Sequence, residues 1–132
     1  MNLPETAENS QQGKLKVLVA DDERAIADTL RIILTQHGFE AEAVYGGRAA
    51  IDVARHWTPD IYLGDVVMPD LDGIEAAIQI QAICPACRVM LFSGQAVVRD
   101  LLAEARMNGH EFELVVKPIH PTELLERLRA AY

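Results

Sequence analysis

Three carboxylates, a hydroxyl and an ammonium stand out because each follows a short apolar run. Asp21 and Asp22 follow Val17-Leu18-Val19-Ala20, and Asp65 follows Ile61-Tyr62-Leu63-Gly64. Ser93 follows Val89-Met90-Leu91-Phe92, and Lys117 follows Leu114-Val115-Val116. Carboxylates crowded together repel one another and call for a hard divalent cation with oxygen ligands, of which Mg²⁺ is the natural choice. An ammonium beside that cation adds a second attraction for an anion, and phosphate suits it. A carboxylate can also act as the nucleophile and carry a phosphoryl group as an acyl phosphate. What remains is positioning, with metal, lysine and hydroxyl neutralising the phosphoryl oxygens. One acid after an apolar run means little. The full set is a strong signal.

Those residues meet only if the runs before them are neighbouring strands that point the same way. Leu15 to Ala20 has the β-branched content of a buried strand and stops at Asp21-Asp22. Ile26, Leu30, Ile33 and Leu34 then recur at helical spacing up to His37-Gly38, where glycine suits a helix stop. Ala41 to Val44 reads as a strand, and Gly46 to His56 as a helix with Ala50, Ile51 and Ala54 on one face. Ile61 to Leu63 is a strand ending at Gly64-Asp65. The turn-rich Met68-Pro69-Asp70-Leu71-Asp72-Gly73 leads from it into a helix carrying Ile74, Ala77, Ile78 and Ile83. Val89 to Phe92 is a fourth strand, followed by a helix from about Gln95 to Met107 that stops at Asn108-Gly109. Leu114 to Val116 is a fifth strand, and Pro121-Thr122-Glu123 opens a last helix with Leu124, Leu125 and Leu128. Alternating strands and helices predict an α/β fold, a doubly wound five-stranded parallel sheet with helices on both faces. Ligands of such sheets bind outside the carboxyl ends of the strands, where the polar set falls.

Composition narrows the setting. The chain has 132 residues, a single domain's length. Half of them are hydrophobic and 24% are charged, as in ordinary globular proteins. No apolar run approaches the ~18 residues of a membrane span. Met1 to Gly13 is polar, has no hydrophobic core of a secretory signal, and reads as a disordered leader before a domain over 14–132. Two cysteines without such a signal point to a reducing, cytoplasmic location. A net charge of −8 repels phosphate backbones, so this domain is expected to bind neither nucleic acid nor membrane.

Val-Leu-Val-Ala-Asp21-Asp22-Glu, Asp65-Val-Val-Met68-Pro69-Asp-Leu-Asp-Gly73, Leu-Phe-Ser93-Gly and Val-Lys117-Pro118 resemble, in order, the motifs of bacterial response-regulator receiver domains. The resemblance is to the chemotaxis-regulator type and covers about Lys14 to Tyr132. It implies a flavodoxin-like (βα)5 sheet in the order 2-1-3-4-5. It also implies that a histidine kinase or phosphotransfer protein phosphorylates Asp65. By the same resemblance Asp21, Asp22 and Asp65 hold Mg²⁺, Asp22 directly, and the backbone carbonyl of Val67 completes the protein ligands. Ser93 and Lys117 then bind phosphoryl oxygens, and the Lys117-Pro118 bond is cis. The family's output partners dock on the face made by the fourth helix, fifth strand and fifth helix. Self-association into a homodimer stays open. Such a module is a signalling phosphoacceptor, not an enzyme, beyond self-catalysed phosphotransfer and dephosphorylation. Two positions depart from the pattern. Gly64 stands where many members carry a larger residue, and Leu114 where a tyrosine or phenylalanine reports phosphorylation by rotating.

Plainer readings compete at several residues. Asp21-Asp22 alone suits a helix N-cap. Asp70, Asp72 and Gly73 read as turn chemistry. Cys84-Pro-Ala-Cys87 closes a helix instead of opening one and lacks a second ligand pair, so ordinary loop cysteines are expected over redox or zinc chemistry. The scattered His37, His56, His110 and His120 read as surface residues, and Trp57 as a packing residue. Two other functions remain in view. One is an aspartyl-phosphate phosphatase, which needs an acid two residues after the nucleophile, where Val67 stands. The other is a pseudo-receiver that binds partners without phosphorylation.

Overall fold

The computed structural model describes residues 13–93 and 112–130, together with the isolated positions 103, 107 and 109. The expected leader over 1–13 and the helix from 95 to 107 fall almost wholly outside the described residues, as does His110. The strands are β1 (Lys16–Ala20), β2 (Glu40–Val44), β3 (Ile61–Asp65), β4 (Arg88–Ser93) and β5 (Glu113–Val116). Among the described residues the helices are α1 (Arg24–Gln36), α2 (Gly47–Trp57), α3 (Gly73–Ile83) and α4 (Pro121–Ala130). The sheet order is β2-β1-β3-β4-β5, and every pairing is parallel.

Side-chain alternation along the strands divides the interior in two. Val17, Val19, Ile61, Leu63, Met90, Phe92 and Val115 face one core, which Ala27 and Leu34 of α1 and Leu124, Leu125 and Leu128 of α4 complete. Leu18, Ala20, Tyr62, Val89 and Leu91 face the other, with Ala50, Ile51 and Ala54 of α2 and Ala76, Ala77 and Ile80 of α3. The apolar faces read from helical spacing are therefore the buried ones, while the small Ala27 and Ala76 carry part of the contact unannounced. Gly38 has φ +93, the left-handed conformation that ends α1.

Register sets the site. Ala20 pairs with Gly64, so Asp21 and Asp65 leave adjacent strands side by side. Ser93 pairs with Val116, which puts Lys117 one residue past the end of β5. The Lys117-Pro118 bond is cis.

The two cysteines lie in the loop between α3 and β4 as expected, and the structure adds that they are buried: Cys84 is 8% and Cys87 4% exposed, both are free thiols, and both belong to the α2–α3 core. The turn is tight, with the Cys87 N–H donating to the Cys84 carbonyl at 2.9 Å, and it tucks both sulfurs inward. Burial raises both thiols, Cys87 to about 12, so neither is a ready nucleophile. His37, His56 and His120 are exposed as expected. Trp57 packs half-buried against the same core.

Gly64 has a packing reason. A Cβ there would overlap the ring and hydroxyl of Tyr62, which lies along the same face of β3 and is fully buried. The Tyr62 hydroxyl has no hydrogen-bond partner among the described residues, and burial raises its pKa well above the ordinary phenol value.

Candidate functional site

β1 delivers Asp21 in a fully buried position, fixed at its backbone by an N–H donated to the Val44 carbonyl of β2 at 3.1 Å. One carboxylate oxygen of Asp21 accepts the Glu23 N–H at 3.0 Å, which bends the chain into α1. Asp21 and Asp22 are thus not the cap of α1; Glu23 holds that position and makes no side-chain cap. Asp22 stays exposed. β3 delivers Asp65, 6% exposed, whose Oδ1 accepts the Val67 N–H at 3.2 Å. One oxygen each from Asp21, Asp22 and Asp65 falls within 4.8 Å of the others.

β5 brings in the cation. Lys117 Nζ donates to Asp21 Oδ2 and to Asp65 Oδ2, both at 3.0 Å, and lies 4.8 Å from the centre of the Phe92 ring. Among the described residues the charges do not balance: one ammonium faces three carboxylates. Burial is the largest influence on Asp65 and raises its pKa; the Lys117 ammonium and the Val67 N–H offset this only in part, and the Asp21 charge adds to it. Burial also works against the Lys117 charge, but its bonds to two carboxylates win and raise its pKa above the ordinary lysine value. The Asp65 shift follows from burial first, which one lysine shared with Asp21 does not fully offset, and the Lys117 shift follows from its two anionic partners. Such a pocket, whose candidate ligands among the described residues are carboxylate oxygens, fits a hard divalent cation. Val67 is 59% exposed and its carbonyl accepts no hydrogen bond among the described residues, which leaves it free as a further oxygen ligand.

Four of the five singled-out positions therefore converge through described contacts. Ser93 closes β4, one strand from Lys117; its side chain lies outside what the structure describes, as does the loop after it.

The loop after Asp65 holds residues that sequence reasoning undervalued. Gly73 donates its N–H to the Val66 carbonyl at 2.8 Å, and a Cβ at Gly73 would overlap the backbone of Asp65 and Val66. Asp72 caps α3 by accepting the Ile74 N–H at 2.7 Å, as turn chemistry predicts. Asp70 does something else. Its carboxylate accepts the Gly47 and Arg48 N–H groups of α2, each at 3.0 Å. The Arg48 N–H foremost, and the Gly47 N–H with it, holds that carboxyl below the usual range against slight burial. The Gly46-Gly47 pair was the available signal, because carboxylate and backbone approach closely only where side chains are missing. A groove of about 410 Å³ opens beside Asp22, between Arg24, Tyr45, Gly46, Pro69 and Asp70.

Comparison with known proteins agrees with this geometry. A family model described as the response regulator receiver domain matches residues 17–129, and the chain belongs to that family, the receiver domains of two-component response regulators. It is 34% identical over 113 residues to the transcriptional regulatory protein CreB of Escherichia coli (strain K12), an alignment covering 86% of this chain and 48% of CreB. It is 31% identical over 116 residues to the response regulator MprA of Mycolicibacterium vanbaalenii, covering 88% and 49%. The chain spans about half the length of these curated relatives. Among solved structures, the chemotaxis response regulator CheY4 of Vibrio cholerae superposes with a TM-score of 0.77 at 26% identity, covering 90% of this chain and 99% of that one. A CheY-like receiver domain from Methanospirillum hungatei JF-1 shares the fold, with a TM-score of 0.81 at 23% identity over 89% and 93%.

Proposed function

We propose that residues 14–132 form a phosphoacceptor module in which Asp65 receives a phosphoryl group from the phosphohistidine of a kinase or phosphotransfer protein. The observation that carries this reading is Lys117 bridging Asp21 and Asp65 at 3.0 Å within a pocket of surplus carboxylate. A carboxylate oxygen of Asp65 bonds to phosphorus as the P–N bond breaks, and the imidazole nitrogen keeps the electron pair and takes up a proton. Lys117 supplies positive charge to the phosphoryl oxygens, and Ser93, at the end of the neighbouring strand, supplies a hydroxyl. Asp22, Asp65 and the Val67 carbonyl would hold Mg²⁺, with Asp21 assisting through water, and the ion would offset the negative charge that accumulates on the phosphoryl group. The phosphorylated module switches partner interactions in place of turning over a substrate. Its output face is the helix from 95 to 107, β5 and α4.

Val67 speaks against a phosphatase, since no acid stands two residues beyond Asp65 to activate water. The complete acid–lysine set supports phosphorylation control over a pseudo-receiver. Incubation with acetyl phosphate and Mg²⁺ followed by mass spectrometry tests the proposal. The wild type gains one phosphoryl mass located at Asp65, and Asp65→Asn gains none. The same adduct on Asp65→Asn overturns the assignment.

A further inference from the structure

We infer that Asp70 is a positioning residue that couples occupation of the acidic pocket to the first turn of α2. The inference rests on the phosphoacceptor reading and goes beyond it, because it names an element outside the output face that responds to the site. The loop from Asp65 to Gly73 is fixed at both ends. Val66 donates its N–H to the Phe92 carbonyl at 3.2 Å, Val67 donates to Asp65 itself, and Gly73 is wedged against the Asp65–Val66 backbone. Asp70 lies between those anchors and reaches across to another helix, 22 and 23 residues away in sequence.

Helix α2 depends on that reach. Its N-cap is Gly46, which has no side chain with which to satisfy the first N–H groups, and no acidic residue stands in its first turn. The Asp70 carboxylate fills that role from outside. Gly46 and Gly47 make room for it: a Cβ at Gly46 would come within 2.9 Å of an Asp70 carboxylate oxygen, and one at Gly47 within 3.0 Å of Leu71. The same loop carries Asp65 and the exposed Val67 carbonyl, so a cation or phosphoryl group that tightens the loop also tightens its hold on α2. Linkage requires the reverse as well: loosening α2 from Asp70 weakens binding in the pocket. This route bypasses position 114, where Leu114 offers no ring to rotate.

Hydrogen exchange by NMR tests the coupling, with Mg²⁺ and beryllofluoride as the phosphoryl mimic. In the wild type, beryllofluoride binds and slows exchange at the Gly47 and Arg48 amides about fivefold or more. In Asp70→Ala those two amides exchange fast whether or not the mimic is bound, and its affinity falls by a similar factor. Unchanged protection at Ile51 and Ala54 shows that α2 still folds, and Asp70→Asn, which keeps one neutral acceptor, restores part of the response. If the wild type binds beryllofluoride but Gly47 and Arg48 do not respond, or Asp70→Ala keeps the full response, the coupling is wrong. If the wild type binds none at all, the phosphoacceptor reading fails first and takes the coupling with it.

Discussion

Lys117 is the residue on which the pocket's charge balance turns. It shares its ammonium between a fully buried carboxylate and a nearly buried one. Removing one partner of a buried ion pair leaves charge without compensation, which costs about 3 kcal/mol. Lys117→Ala is therefore expected to lower urea stability by about that amount, and Mg²⁺ should recover more of it in the variant than it adds to the wild type. Asp65 behaves differently. Its folded pKa lies above the ordinary carboxylate value, so between the two the native state binds more protons than the unfolded chain, and stability falls as pH rises through that window. The penalty is fully present above the folded pKa. Asp65→Asn, which cannot ionise, should then be more stable than wild type at pH 7. That gain should shrink as pH falls from the folded pKa toward the ordinary aspartate value and vanish below it, as urea titrations across pH will show.

At the scale of elements, glycines decide how closely backbones approach. Gly73 begins α3 while touching the peptide that carries Asp65, so adding one methyl group there moves Asp65 or breaks the first turn of the helix. Gly73→Ala should cost about 1–3 kcal/mol, the usual range for overpacking, and should weaken beryllofluoride binding although residue 73 never touches the ligand. Calorimetry on folded variant protein checks both. The helix faces and strand runs were legible in the sequence because apolar periodicity reports burial directly. The reach of Asp70 to Gly47 was not, because it joins positions 23 apart through a carboxylate that local pattern assigns to a turn. The wedge at Gly73 and the ring over Gly64 escaped for a related reason: missing side chains leave no pattern. Cys84 and Cys87 were legible as loop residues but not as buried ones, because the contacts that hold both sulfurs inward leave no local pattern.

For the whole molecule, the acidic pocket and the fold should share one equilibrium. A cation that binds only the folded chain stabilises it by about 2.7 kcal/mol at a hundred times its dissociation constant, a shift of about 8 °C in Tm for a domain of this size. Adding Mg²⁺ should raise Tm by that order, and Asp22→Asn should remove most of the rise. The four polar strand ends were readable as a site because an α/β sheet collects them whatever their separation in sequence. That separation has a consequence for synthesis. Lys117 meets Asp21 across 96 positions, and the strand before Lys117 is the last to join the sheet along the chain. As the polypeptide leaves the ribosome, its three acids emerge long before the lysine that bridges two of them. On the proposed function, competence to take up phosphate is then acquired only once β5 has been made, so a product stalled or truncated before β5 is expected to bind beryllofluoride no better than Lys117→Ala.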